Sequence, residues 1–316
     1  MKKALHVLPP PEDTKDLGLG SKITAQTNAR FLNKDGSFNV ERTGQSFLRS
    51  LSPYHALLTV SWAKFHSMIV LSYLLLNFLF ASGYMLCGPG ALEGSAATTF
   101  AQRFLDAFFF SVQTLATIGY GKMSPSNLAS NILVAAEALA GLFGFALATG
   151  LLFSRFSRPT AKIKFSEKAV IAPYRDITGF MFRIVNERKN QIIELAATVT
   201  FSKMELHDGR HIRRFYRLNL ERDKVTFFPL NWTIVHPIDE KSPLYGVTEK
   251  ELRETDAEFA ILLSGIDEIF SQTVHSRSSY KYDEVVVGAR FRDMFLPPEN
   301  GAARIDIRLL SDIEHV

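Results

Sequence analysis

Cysteine is almost missing from this chain. A single thiol, Cys87, among 316 residues excludes an intrachain disulfide framework and any cysteine-based zinc cluster. Alone, it reads as a small buried apolar side chain. Short catalytic signatures are missing too. There is no His-Glu-x-x-His, no Gly-x-Ser-x-Gly, no Gly-x-Gly-x-x-Gly and no phosphate-binding loop, and the eight histidines are scattered. The expectation is therefore not an enzyme, and no cofactor. Excess charge is small, at +4. That balance suits an anionic membrane surface better than nucleic acid, and no nucleic-acid partner is expected. Residues 1–30 are polar and carry Pro9-Pro10-Pro11, without the apolar core of about 7–15 residues that a cleaved leader needs. The N-terminus is expected to stay on the side where it is made. No internal repeat or low-complexity tract is visible.

What the chain does have is two long apolar runs. Trp62–Cys87 and Asn131–Phe156 are each long enough to cross a hydrocarbon core of about 30 Å. Basic residues set their orientation. Lys2, Lys3, Lys15, Lys22, Arg30, Lys34, Arg42 and Arg49 precede the first run. Arg155, Arg158, Lys162 and Lys164 follow the second, whereas the loop between holds only Arg103 and Lys122. Both termini are expected in the cytoplasm, in a multi-pass protein of the inner (plasma) membrane. Residues 1–46 form a cytoplasmic N-terminal segment. Residues 47–60 (FLRSLSPYHALLTV) mix Leu, Phe and Tyr with Arg49 and His55 and predict an amphipathic helix along the inner interface, or else a simple loop. Residues 61–157 form the transmembrane unit. Residues 158–316 change character, with short Val/Ile/Phe/Thr-rich runs separated by turn signals such as Asp208-Gly209. They predict one β-sandwich domain. The fold class is thus α + β, a helical membrane hairpin with a β-domain.

The loop between the runs carries the most informative residues. Arg103–Ala116 is aromatic, helix-compatible and too short to span. It leads straight into Thr117-Ile118-Gly119-Tyr120-Gly121. A re-entrant helix followed by extended backbone is tolerated at membrane depth only where protein buries it or it lines a watery path. An ion entering a bilayer bare faces an idealised cost of about 20 kcal/mol. Backbone carbonyls can replace its water shell if they aim at one axis, and glycines at alternate positions permit the dihedrals this requires. Thr117 can add its hydroxyl. In the second span Phe145, Thr149 and Phe153 recur four apart, with Phe156 a turn later. Facing an axis, these rings form apolar necks that gate by dewetting; otherwise they pack between helices. Gly150 is a candidate hinge or a packing glycine. Glu137 is the span's only carboxylate, and an intramembrane ionisable group is functional by default. Its expected partners, behind the extended segment, are Gln113 or backbone. The basic group Arg155, Arg158, Lys162 and Lys164 is either a topological anchor or a site for anionic lipid, each charge contributing about 1 kcal/mol near such a leaflet.

The five-residue segment resembles the potassium-channel selectivity filter, and further segments narrow the family. Leu51–Trp62 (LSPYHALLTVSW), Ala107–Lys122 (AFFFSVQTLATIGYGK), Gly150–Pro159 (GLLFSRFSRP), His236–Gly246 (HPIDEKSPLYG) and Arg277-Ser278-Ser279-Tyr280 are similar to the prokaryotic inward-rectifier (KirBac) potassium channels. The resemblance covers nearly the whole chain. It implies an outer helix at 62–87, a pore helix at 103–116, a filter at 117–121, an inner helix at 131–156, a slide helix at 47–60 and an immunoglobulin-like cytoplasmic sandwich. It also implies a homotetramer with one central pore. Potassium would be the permeant ligand, held at Thr117, Ile118, Gly119 and Tyr120, with Gly121 closing the filter. Tyr120 would point into an aromatic cuff from Phe108-Phe109-Phe110. Phe153 is favoured as the gate. The basic group is read as an anionic-lipid site, phosphoinositides included, and Asp208 as lining the cytoplasmic vestibule. His236, Asp239 and Tyr245 read as structural. At Phe145 many eukaryotic relatives carry an acidic side chain, so strong rectification is not implied. Gln113 and Met123 stand where those relatives pair an acid with an arginine around the filter. Alternative readings are a non-selective cation channel of the same architecture, or a membrane-anchored receptor with a β-sandwich, which would need that domain outside.

Overall fold

The computed structural model describes residues 30–39, 53–157, 161–188, 190–207, 209–228, 230–299 and 301–315. The chain divides into two compact units, Thr43–Arg158 and Met1–Arg42 with Pro159–Val316.

The first unit is helical. A short helix α1 (Pro53–Thr59) precedes α2 (Trp62–Leu86), α3 (Phe100–Leu115) and α4 (Leu128–Phe156). Residues 47–52 of the expected slide helix lie outside the described residues. Capping side chains decide where the helices begin. Ser61 accepts from the Lys64 N–H to start α2. Thr99 and Gln102 form a reciprocal capping box at α3, and Asn127 and Ser130 form one at α4. Both helices therefore start three residues before the positions expected from apolar content alone. α2 and α4 are each long and apolar enough to cross a membrane. On α2, Asn77, Ala81 and Tyr84 make one buried stripe. Ala81 and Tyr84 meet Ala107 and Phe110 of α3, with Leu133 and Val134 of α4 alongside. Leu71, Leu75 and Leu79 are exposed, an arrangement suited to lipid and costly in water. Between α2 and α3, β1 (Leu92–Glu93) pairs antiparallel with β2 (Ser124–Pro125).

The second unit is a β-sandwich. One sheet orders β11 (Gln272–Lys281), β10 (Glu258–Asp267), β6 (Ile192–His207) and β7 (Arg210–Leu218), with β8 (Lys224–Phe228) also on β6. The other orders β12 (Val285–Val287), β4 (Ala169–Tyr174), β5 (Ile177–Asn186) and β3 (Ile163–Phe165), with β9 (Asn231–Ile238) also on β5. All pairs within these sheets are antiparallel except β12 with β4. The two faces share one core. Phe180 of β5 stacks on Phe259 of β10 at 4.2 Å, and Phe182 meets Tyr280 at 5.6 Å. Residues 30–39 belong to this unit. Glu258, buried, accepts the backbone N–H groups of Phe31 and Leu32. Arg30 and Lys34 both pair with Glu284.

Two of the short Val/Ile/Phe/Thr-rich runs, Lys164–Ile171 and Ile269–Val274, would each read as one strand, and both differ in the fold. The run Lys164–Ile171 is broken at Ser166, whose hydroxyl donates to the Lys168 carbonyl and accepts from the Arg183 N–H. Ile269–Val274 is not one strand. Asp267 captures the N–H groups of Ile269 and Phe270, Ser271 turns left-handed at φ +51°, and β11 starts only at Gln272. β9, which the sequence runs do not include, holds Pro237. β9 pairs with β5 alone, and an edge tolerates the missing donor.

His236 on β9 is buried between the Asn219 carbonyl (2.6 Å) and the Ser242 hydroxyl (2.7 Å), and burial pushes its pKa down. The Asp239 carboxylate accepts the Lys241 N–H, and Tyr245 is exposed. Arg213 on β7 is buried and pairs with Asp256, which also holds Lys281 at 3.0 Å. Asp256→Ala leaves a buried guanidinium without its carboxylate and should destabilise this domain by about 3 kcal/mol. Glu254→Ala breaks only an exposed pair with Lys250 and should cost under about 0.5 kcal/mol. Thermal unfolding of the full-length protein, followed by near-ultraviolet circular dichroism, measures both.

Candidate functional site

α3 ends in a way that shapes everything after it. The Thr117 N–H donates to the Thr114 carbonyl (3.0 Å) and the Ile118 N–H to the Gln113 carbonyl (2.7 Å). These are the paired bonds of a Schellman cap, which requires a left-handed residue just past the helix. Thr117 is that residue, at φ +53°. Glycine is the usual occupant, and a β-branched residue there stores about 1–3 kcal/mol. Left-handed φ recurs at Gly119 (+59°) and Gly121 (+76°), while Ile118 and Tyr120 do not share it. The left-handed positions thus alternate along 117–121. The negative end of the α3 dipole falls at the start of this segment, which favours a cation there. The far end is tied down by the β1–β2 pairing and by the Ser126 N–H on the Ala91 carbonyl (3.0 Å).

All five residues of the segment are exposed on a single chain. Tyr120 is 77 % exposed, and within one chain the phenylalanine triplet serves other partners. Phe108 packs on Phe78 at 5.4 Å and Phe110 on Tyr84 at 5.2 Å. The expected cuff around Tyr120 is thus not assembled by these rings in the same chain.

Behind the segment lies a buried polar cluster. Glu137 of α4 is fully buried. The Tyr84 hydroxyl of α2 donates to its Oε2 (2.5 Å), and Ser111 of α3 is hydrogen-bonded to its Oε1. Ser111 also reaches Asn77 Oδ1 at 3.0 Å. The partners of Glu137 are therefore Tyr84 and Ser111 rather than Gln113, whose link to the segment is its main-chain carbonyl. Sequence reasoning missed Asn77, Tyr84 and Ser111. A polar residue in mid-span and a serine inside an aromatic helix were the available signals. Met123 packs in the apolar cluster beside this site. Nearby, Gly141 of α4 lets α4 close on the end of α3. A Cβ built there would lie 2.5 Å from the Leu115 carbonyl oxygen.

Phe145, Thr149 and Phe153 share an exposed face of α4. Phe156 leaves that row and packs on Trp62 at 4.9 Å. Gly150 sits in unbroken helix, with open space where a Cβ would stand. Arg155 is not a free cation. Its guanidinium donates to the Leu57 (2.5 Å) and Val60 (2.6 Å) carbonyls at the end of α1, and it stacks within 4.6 Å of Trp62 and Phe65. α1 is thereby fastened to the last turn of α4. Lys162 and Lys164 are exposed at β3, in the other unit. Arg158 and Asp208 lie outside the described residues. His207 pairs with Arg210, and Gly209 between them stands at φ +76°. Among the described residues no group of three or more His, Cys, Asp or Glu is placed to hold a metal.

The family model "Ion channel" matches residues 69–158, and the model "Inward rectifier potassium channel C-terminal domain" matches residues 163–316. Inward rectifier potassium channel Kirbac3.1 of Paramagnetospirillum magnetotacticum is 42% identical over 286 residues, covering 90% of this chain and 95% of that one. Inward rectifier potassium channel 4 of Rattus norvegicus is 33% identical over 230 residues, covering 66% and 51%. Inward rectifier potassium channel 18 of Homo sapiens is 28% identical over 208 residues, covering 62% and 48%. The chain spans about half the length of these two mammalian relatives.

Gly141→Ala should push α4 off the end of α3. An expected cost of about 1–3 kcal/mol would show as a lower melting temperature of the solubilised protein. Gly144→Ala, with open space at its Cα on the same helix, should not lower it.

Proposed function

This chain belongs to the inward-rectifier potassium channel family, and on that premise we propose that four identical copies surround one pore in which the carbonyls of residues 117–120 solvate potassium. That the chain is a potassium channel of the membrane, and not an enzyme, follows from the family. The finer reading rests on one observation above all, the left-handed backbone at Thr117, Gly119 and Gly121. One row of carbonyls cannot enclose an ion. The exposure of this row on a single chain supports its closure by further copies, with four rows forming a ring. Thr117 keeps a strained backbone where glycine would relax it. Its hydroxyl, as a further oxygen for the ion, is a reason for threonine to be there.

Phe153 forms the gate in this reading, four rings making a neck too narrow and apolar to stay wet, with Phe145 a second constriction. Gly150 is the hinge. Glu137 and the Gln113 carbonyl support the filter. Tyr120 finds its aromatic cuff on a neighbouring copy. Both termini and the β-sandwich are cytoplasmic, the membrane is the inner (plasma) membrane, and Asp208 lines the vestibule. Anionic lipid headgroups, phosphoinositides among them, bind Arg158, Lys162 and Lys164 and modulate gating. Arg155 contributes to that response through α1, since its two terminal guanidinium nitrogens are engaged by the Leu57 and Val60 carbonyls.

Flux into liposomes tests the filter. The native chain should pass potassium but not sodium and be blocked by barium. Gly119→Ala should abolish flux, because alanine resists φ +59°. Equal passage of both ions identifies a non-selective pore, and undiminished flux from the variant removes the filter assignment. Phe153→Ala should raise resting flux by widening the neck; an unchanged rate would place the gate elsewhere.

A further inference from the structure

We infer that Glu137 is a neutral carboxylic acid that donates its own proton to Ser111, so that a directed chain of hydrogen bonds locks α3 between α2 and α4. The argument counts protons. Three contacts run in series: Tyr84 Oη to Glu137 Oε2, Glu137 Oε1 to Ser111 Oγ, and Ser111 Oγ to Asn77 Oδ1. Each needs one hydrogen between its two oxygens. Tyr84 and Ser111 supply two. Asn77 supplies none, because its Nδ2 donates to the Tyr73 carbonyl at 2.7 Å, leaving Oδ1 toward Ser111. The opposite amide orientation would set Oδ1 against that carbonyl, acceptor against acceptor. The third proton therefore belongs to Glu137. With it, Tyr84 donates to one carboxyl oxygen, the other donates to Ser111, and Ser111 donates to Asn77. Without it, one contact places lone pair against lone pair.

Charge leads to the same state. Ionised Glu137 would be a buried anion needing a cation. Among the described residues no cationic side chain pairs with it. At 1.5 Å per helical residue, Arg155 on α4 is about 27 Å away along the axis, and Lys64 on α2 is about 30 Å from Tyr84. On α3, Arg103 is exposed and about 12 Å from Ser111, and Asp106 is held by Ser95. Glu137 is already closed off within a single chain, so a neighbouring copy has no route to supply the missing charge. The consequence is positional. Ser111 sits two residues before Gln113, whose carbonyl fixes Ile118, so the chain holds the helix that sets the filter backbone. This rests on residues 117–121 being the ion path.

Infrared difference spectra of the reconstituted full-length protein at neutral pH, native against Glu137→Gln, test the inference. The carbonyl band of a protonated carboxyl should be present in the native protein and lost in the variant. Ser111→Ala removes the acceptor of the Glu137 proton and should shift that band. Glutamine offers the same pattern, donor toward Ser111 and acceptor toward Tyr84, so Glu137→Gln should keep the heat resistance of the assembly while Glu137→Ala lowers it. A native protein without the band, a band unmoved in Ser111→Ala, or Glu137→Gln as unstable as Glu137→Ala would each overturn the inference. The band is read with no ion passing. A protein that shows it yet conducts no potassium counts against the conduction reading and leaves this one standing.

Discussion

Two backbone hydrogen bonds at the end of α3 are what the membrane unit is organised around. Thr117 and Ile118 donate back to Thr114 and Gln113, and this forces the first residue beyond the helix into the left-handed region. The left-handed backbone recurs at Gly119 and Gly121, two residues apart. The rest of the unit serves to keep that helix end in place. α2 and α4 hold α3 through Tyr84, Ser111 and Glu137. Gly141 admits the closest approach of α4 to Leu115. The short β1–β2 ladder fixes the segment's other end. Strain at Thr117 persists because contacts on both sides over-determine it.

The two units answer to different solvents. The β-sandwich buries a continuous aromatic and aliphatic core between its sheets; buried Arg213 is paired with Asp256, and buried Glu258 and Asp267 accept hydrogen bonds. The helical unit buries comparatively little of its apolar surface within one chain. Leucines of α2 and the Phe145, Phe153 face of α4 are exposed. In water this would be a liability. In a bilayer the same surfaces can face acyl chains. One buried polar group, Asn77, Tyr84, Ser111 and Glu137, satisfies its members mutually. Arg155 shows the same economy at the membrane's edge, where a positive-inside residue also caps α1.

The two long apolar helices, the shorter helix between them and a β-rich C-terminal domain were legible in the chain. Each is written in local terms: a run of about twenty apolar residues, glycines two apart, and Val/Ile/Phe runs between turn residues. The family followed from short stretches such as His236–Gly246. Helix starts were less legible because Thr99 and Asn127 act through side-chain geometry that apolar content does not register. The strand at Asn231–Ile238 was not among the expected runs; its Pro237 is tolerated because β9 lies at a sheet edge.

Hydrophobic length and backbone permissiveness are properties of neighbouring residues, so the amino-acid order alone determined the two long apolar helices and the glycine-bearing segment that follows α3. Partnership is not such a property. That Glu137 would meet Tyr84 and Ser111, that Arg155 would close on Leu57 and Val60, and that Phe156 would turn to Trp62 depended on how helices distant in the chain cross. Only their packing decided it, because a buried polar group takes whichever donor or acceptor the fold brings within three ångströms.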